Sequence, residues 1–359
     1  MKSNFFKKAI SVLMICVLSV AGLAGCSKGP NNGTNSRNKG TENKSTNTET
    51  DSNEKEMRKV SIQIDGAAVP YYAPLYIAQE KGFFAEEGLE VEFYYAAAAE
   101  IVKNVAANNV EFGFPNGDSV ITAKSQEIPV KIVHSTYQNG LGATIFKTEL
   151  GIKEPKDLKG KKVAITSLGS PNYIQLQVML DQAELTLDDI QLEVIGTGAI
   201  VNALVTDQVD AIVFSTLRTI ELLNQGVEVQ EIKSDDYLPS HGNVLIVSDK
   251  LADTDPEVVQ AFINGLNKGL QYIIDGNVQE SINIAIEKYA EASKGKEEIT
   301  AKIFNEVFIP YLWQSENTKK HGLGYSDVEK WNESIKILKE YQIIEKEFDA
   351  ADMIYSPSK

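Results

Sequence analysis

Apolar residues recur in this chain with two different periods, and the periods alternate. Val60, Ile62 and Ile64 repeat at every second residue, as a half-buried strand does. The period then lengthens: Pro74 suits the first turn of a helix and Gly82 its end, so 74–82 reads as helix. Val91, Phe93 and Tyr95 return to period two. Strand, helix, strand in that order is the pattern of a mostly parallel sheet with helices on both faces. It continues as a helix over 100–108 and a strand over 110–114. A helix follows Asp118, whose side chain suits an N-cap, and then a strand over 130–137. Residues 142–150 and the following GIKEPKDLKGKKVAIT break the rhythm. A second set then begins: strand KKVAIT, helix 172–182, strand LEVIG, helix IVNALVTDQ, strand DAIVF and helix LRTIELLNQG. Two sets in tandem imply two lobes. From Asp255 to Tyr341 the pattern is nearly all helical, with Val258, Phe262, Gly265, Leu266 and Leu270 on one face.

The chain has 359 residues, enough for two α/β lobes, and its 43% apolar content supports a sizeable core. Its formal charge of −15 and its three arginines, Arg37, Arg58 and Arg218, exclude the basic face that a nucleic-acid partner requires.

The first residues read as a targeting segment. Lys2, Lys7 and Lys8 precede an apolar run over 9–22, too short to span a bilayer, which ends in Leu23-Ala24-Gly25-Cys26. Small residues before a cysteine resemble the lipobox of bacterial lipoproteins. That resemblance implies removal of the signal peptide that precedes Cys26 within segment 1–26, and lipidation of Cys26. The alternative is an ordinary secretory cleavage site beside an incidental cysteine. The other cysteine, Cys16, lies inside the apolar run, so the mature chain keeps no cysteine for a disulfide, a nucleophile or a metal. Residues 27–57 are nearly all Ser, Thr, Asn, Gly, Lys and Glu, a composition that cannot bury apolar surface and reads as a disordered tether. Such a tether reaches roughly 30 Å on a random-coil estimate.

Several stretches together resemble the substrate-binding proteins of ABC importers, in the branch for thiamine-precursor pyrimidines, riboflavin, sulfonates and nitrate. They are Ala73-Pro74-Leu75-Tyr76 through Val91, Glu111-Phe112-Gly113 with Asp118-Ser119, and Ile128-Pro129-Val130 through Val133. Ile152 through Val163 leading to Gly169-Ser170, and Gln208-Val209-Asp210-Ala211, complete the set. The resemblance covers about 59–338. It implies an α/β, bilobed periplasmic-binding-protein type II fold: two doubly wound lobes, a hinge and a helical C-terminal segment. Lobe one would be 58–145 plus 243–359 and lobe two 146–242. It further implies a monomeric extracytoplasmic binding protein, without catalysis or cofactor. Held on the membrane face by its lipid, the protein would capture a small aromatic heterocycle, pyrimidine-like or flavin-like, and deliver it to a permease. An aliphatic sulfonate or nitrate-like anion is the alternative solute. A pyrimidine-synthesising enzyme on the same fold is a further one, but such enzymes rely on a cysteine-rich segment absent here.

Ligands of open α/β sheets sit beyond the carboxyl ends of strands. That rule selects the loops 67–73, 96–100, 115–119, 135–140, 167–173, 196–199, 215–218 and 237–242. Tyr71 and Tyr72 are candidates to stack on a flat ligand, or else to pack beneath the C-terminal helices. Asn116, Asp118 and Ser119 serve either a polar ligand or the helix cap. Tyr137 and Thr216 lie in two of the other loops. Ser167, Gly169 and Ser170 form a small-residue turn whose amides suit an anionic group, or simply a capped turn. Arg218 is either a donor fork at the cleft or a solvated helix residue. Thr219 stands where pyrimidine-binding relatives often carry a glutamate, and Glu221 is expected to point elsewhere. His134, His241 and His321 are too scattered for a metal site. Trp313 fits a second stacking wall or a core anchor.

Overall fold

The computed structural model describes residues 57–168 and 170–355. The expected signal segment 1–26 with Cys26, residues 27–56 of the expected tether, and Gly169 lie outside the described residues. Strand β1 (Arg58–Asp65) buries Val60, Ile62 and Ile64, as their alternation requires. A 3-10 turn, Pro70–Tyr72, leads into α1 (Ala73–Glu80). Gly82, at φ +78°, turns the chain where a side chain would be strained. Then come α2 (Phe83–Glu86), β2 (Leu89–Ala96), α3 (Ala98–Ala106), β3 (Phe112–Phe114), α4 (Gly117–Ser125) and β4 (Val130–His134). The second set runs β5 (Gly142–Lys147), β6 (Lys162–Ile165), α5 (Pro171–Gln182), β7 (Gln191–Val194), α6 (Ile200–Val205), β8 (Ala211–Ser215), α7 (Leu217–Asn224) and β9 (Val229–Lys233). Strand β10 (Leu245–Ser248) precedes α8 (Asp249–Thr254), α9 (Pro256–Ile274), α10 (Val278–Lys288) and α11 (Glu297–Ile303). A π-helical segment, Phe304–Trp313, then leads to α12 (Glu316–His321) and α13 (Val328–Glu340).

The strands form two five-stranded sheets, ordered β2-β1-β3-β10-β4 and β7-β6-β8-β5-β9. The sequence pattern predicts mostly parallel sheets, but each is mixed. β1 pairs in parallel with β2 and β3, whereas β10 runs antiparallel to both β3 and β4. In the second sheet β6 pairs in parallel with β7 and β8, and β5 runs antiparallel to β8 and β9. The reversed strands are the two by which the chain enters a lobe: β5 on arrival in the second, β10 on return to the first. Apolar periodicity records burial and not direction, which is why the reversal shows in the sequence only as a break in rhythm.

The passages between the sheets, 135–141 and 234–244, lie side by side. Tyr137 N–H donates to the Asn243 carbonyl at 3.0 Å, and Gly242 N–H to the carbonyls of Tyr137 and Asn139. Asp235 accepts the N–H groups of Gly140 (3.0 Å) and Ser240 (2.8 Å). Lys330 of α13 donates to the Gln138 carbonyl, to Asn139 Oδ1 and to Asp235 Oδ2. This arrangement ties the hinge to the C-terminal helices.

Those helices close the core of the first lobe. Phe262 of α9 stacks on Phe112 of β3, centroids 4.0 Å apart, a contact worth about 0.5–1.5 kcal/mol beyond its area. α9 can approach α1 because Gly269 has no side chain: a Cβ there would stand 2.2 Å from the Pro74 carbonyl oxygen. Trp313 is a core anchor, fully buried against Phe304 and Phe308.

Candidate functional site

At the carboxyl ends of β1, β2 and β3 the first lobe leaves a cavity of about 570 Å³, bounded on the far side by Pro171 and Ile174 of α5 in the second lobe. Its floor is set by local sequence. β1 ends at Asp65, and β2 runs into Ala97, Ala98 and Ala99, whose small side chains keep the entrance to α3 open. The turn from β3 into α4 supplies Asn116, Asp118 and Ser119. Gly117 between them is forced: a Cβ there would meet Trp331 at 2.6 Å and the His241 carbonyl at 2.8 Å.

Asn116, not Asp118, is the N-cap of α4. Its Oδ1 accepts the Ser119 N–H at 3.0 Å, and Asp118 is the second helical residue. The sequence allowed either, because Asn and Asp cap equally well and only the backbone decides where the helix starts. With the cap filled by Asn116, the Asp118 carboxylate is released from that duty. Its Oδ1 is closed to bulk water and has no hydrogen-bond partner. Burial, and secondarily the charge of Asp235, pushes its pKa up to about 7. Asp65 is also raised by burial, against the opposing effect of hydrogen bonds from the Asn116 side chain and the Ala98 and Gly66 backbone. Lys103 is the cation among the lining residues.

The two tyrosines on the rim of α1 have separate environments. The Tyr72 hydroxyl donates to the Asp65 carbonyl at 2.6 Å, and its ring stands edge-on to Phe114. Tyr71 stacks on Phe308 at 5.3 Å and donates across to Glu221 Oε1 in the second lobe at 3.1 Å. Burial, and next the charge of Glu221, raises the Tyr71 phenol. Glu221 was expected to point elsewhere on its helix; it instead reaches Tyr71 and pairs with Arg218. Arg218 also lies over the Phe214 ring, 5.3 Å from its centroid. Tyr71, Arg218 and Glu221 line a second, smaller opening of about 230 Å³.

The remaining candidates are more deeply engaged in the fold. Tyr137 is buried edge-on to Phe114 and Phe308, its hydroxyl 3.3 Å from the Tyr71 carbonyl. Thr216 is buried and donates to the Glu231 carboxylate. Thr219 donates to Glu231 as well. Ser170 caps α5, accepting the Tyr173 N–H at 3.3 Å and donating to the exposed Ser167 carbonyl at 2.8 Å. Gly169 lies outside the described residues. His134 is buried between Thr136 and Asn267, His241 stacks on Trp331 at 4.3 Å, and His321 stacks on Tyr325. The structure thus brings Asn116, Asp118 and Ser119 together around the larger cavity, and Tyr71 and Arg218 around the smaller opening. Sequence reasoning passed over Asp65 because the selected loop began two residues later. The selected loop 96–100 does contain Ala97–Ala99, but none of them is singled out as a site residue, because alanines carry no chemistry and contribute here only by leaving room.

A family model described as NMT1/THI5 like matches residues 69–278. The chain is 28% identical over 272 residues to the riboflavin-binding protein RibY of Chloroflexus aurantiacus, covering 75% of this chain and 76% of that protein. It is 25% identical over 312 residues to the formylaminopyrimidine-binding protein of Halalkalibacterium halodurans, covering 85% and 92%. In fold it resembles the crystal structure of the periplasmic aliphatic sulphonate binding protein SsuA from Escherichia coli. The TM-score is 0.66 at 15% identity, over 84% of this chain and 93% of that one.

Proposed function

Because the chain belongs to the NMT1/THI5-like family, we propose that it is an extracytoplasmic solute-binding protein that captures a small aromatic heterocycle between its lobes for delivery to an ABC permease. The observation that carries this reading is the cavity at the strand ends, lined by the polar groups of Asn116, Asp118 and Ser119 together with apolar Ala97–Ala99, Pro171 and Ile174, as suits a flat ligand with one polar edge. Names given to relatives, riboflavin-binding and formylaminopyrimidine-binding, support the same solute class. Asn116, Asp118 and Ser119 are the polar contacts in this reading. Tyr72 does not line the cavity; in this reading it supports the wall from outside, its hydroxyl bonded to the backbone carbonyl of the lining residue Asp65. The turn at Ser167 and Ser170, just before Pro171, closes over from the second lobe. The two lobes, expected as 58–145 with 243–359 and as 146–242, move as two bodies about the hinge, with the whole of β5 (Gly142–Lys147) belonging to the second. Membrane attachment is through a lipid on Cys26, and the protein acts as a monomer without catalysis. No helix among the described residues is long and apolar enough to cross a membrane.

The anion alternative has less in its favour. Asp65 and Asp118 both line the cavity, and Arg218 is engaged by Glu221 at the other opening. A thermal-shift screen of riboflavin, aminopyrimidines and alkanesulfonates tests the reading. A ligand at 100–1,000 times its Kd stabilises by about 3–4 kcal/mol. Stabilisation by a sulfonate alone would overturn the heterocycle. Retention of the Cys26→Ala protein in the membrane fraction would overturn the anchor.

A further inference from the structure

We propose that the cleft selects its ligand through a hydrogen-bond donor, an exocyclic amino group or a ring N–H, delivered to the carboxylate of Asp118. The inference rests on the solute-binding reading and narrows it to the chemistry of one ligand edge.

Four observations carry it. Asp118 lines the 570 Å³ cavity and no hydrogen bond reaches its carboxylate; Oδ1 is sealed by neighbouring protein atoms, which leaves Oδ2 as the oxygen a ligand donor can approach. A desolvated carboxylate oxygen without a donor is the kind of group a bound ligand completes. The capping duty that would explain an acidic residue at this turn is already discharged by Asn116. The neighbouring carboxylate, Asp65, lines the same cavity, but its backbone carbonyl is already engaged by the Tyr72 hydroxyl and it opens no helix, so the acidic residue at the α4 start is the one left without a structural duty. Finally, Ala97, Ala98 and Ala99 on one side and Pro171 and Ile174 on the other give a ring apolar faces to lie between.

Two consequences follow from the chemistry of a carboxylate acceptor. An anionic ligand would meet Asp118 and Asp65 with Lys103 as the one cation among the lining residues, so the site discriminates against sulfonates by repulsion wherever those carboxyls are ionised. A ligand that offers its donor is favoured strongly, because a site built around an unmet acceptor rejects an analogue lacking the donor far more strongly than a merely apolar pocket rejects a missing methylene.

The test uses matched probes on the full-length protein, read by calorimetry. One pair is 4-amino-5-hydroxymethyl-2-methylpyrimidine and its 4-dimethylamino analogue. The other is riboflavin and N3-methylriboflavin. In each pair the second member keeps the ring and loses the donor. The expected result is that at least one pair binds, that its donor-blocked member binds at least about tenfold more weakly, and that Asp118→Ala removes most of that difference. Equal affinity within every pair that binds would overturn the donor inference while leaving heterocycle binding intact. Discrimination that persists undiminished in a folded Asp118→Ala protein would overturn the assignment to Asp118. Binding of methanesulfonate with no heterocycle bound would overturn both the donor inference and the heterocycle. Absence of binding by every probe would likewise remove both.

Discussion

Asp118 illustrates how far one residue's role can be read in advance. The string Asn116-Gly117-Asp118-Ser119 announces a helix start, and both Asn116 and Asp118 are acceptable caps. Which of them caps depends on where helical backbone begins, and that is fixed from outside by Trp331 and His241 packed against Gly117. The sequence therefore reveals the turn but not the division of labour within it. The consequence is measurable as a pH dependence of stability. The folded pKa of Asp118 is raised from 3.8 to about 7, chiefly by burial. Below pH 3.8 the carboxyl is protonated in both folded and unfolded chains and contributes nothing. Between pH 3.8 and about 7 the unfolded chain ionises while the folded one resists, so stability falls as pH rises, and the loss is complete above 7. Asp118→Asn lacks this penalty. Its melting temperature is expected to equal the wild type's near pH 3.5 and to exceed it at pH 8, even though the substitution weakens ligand binding. A uniform offset at both pH values would contradict the burial account. Gaining stability while losing binding is the usual trade at a functional group.

At the level of elements, most helices and strands were legible because one face of each is buried and period alone reveals that. The apolar face of α9 is the clearest case: Val258, Phe262, Gly265, Leu266 and Leu270 are all buried. What period could not reveal is how closely two helices meet. Gly265 fits against the Phe84 ring and Gly269 against the backbone carbonyl of Pro74. A glycine inside a helix costs about 1 kcal/mol relative to alanine. Gly269→Ala would recover that amount if nothing stood opposite. Here the new methyl meets rigid backbone, and overpacking of this kind costs about 1–3 kcal/mol. The contact is backbone and cannot rotate aside, so we expect net destabilisation and a melting temperature lower by a few degrees, at about 2–4 °C per kcal/mol for a chain of this size. An unchanged or raised melting temperature would mean that α9 shifts freely on α1. The strand directions were illegible for a similar reason. β5 and β10 carry ordinary strand patterns, and their reversal is a property of the connections, set by the chain arriving from the other lobe.

In the whole molecule the two lobes are linked by side chains on both flanks of the hinge. On one, Tyr71 of the first lobe donates to Glu221 of α7. On the other, Tyr341, immediately after α13, donates to Asp181 of α5 at 2.8 Å. Neither pair is recognisable in sequence, because the partners are 150 and 160 residues apart. Closure of a bilobed fold on its ligand is a hinge equilibrium, and contacts made only when the lobes meet bias it. A tyrosine-to-carboxylate hydrogen bond at a partly wet surface contributes about 1 kcal/mol net, so removing both shifts the equilibrium toward open by about 2 kcal/mol, roughly thirtyfold. The Tyr71→Phe/Tyr341→Phe double variant keeps both rings and therefore the packing on Phe308. It is expected to show a larger radius of gyration than the wild type by small-angle X-ray scattering without ligand. Saturating ligand should restore the wild-type value, and affinity should be lower by up to that thirtyfold factor. The Tyr341→Phe single variant separates lobe linkage from ligand contact, because its hydroxyl is bonded to Asp181 and does not line the cavity. A loss of about fivefold in this variant, the share of one bond, supports linkage. Identical scattering and identical affinity in wild type and double variant would show that the hinge cluster of Lys330 and Asp235, not the flanking tyrosines, sets how the lobes stand.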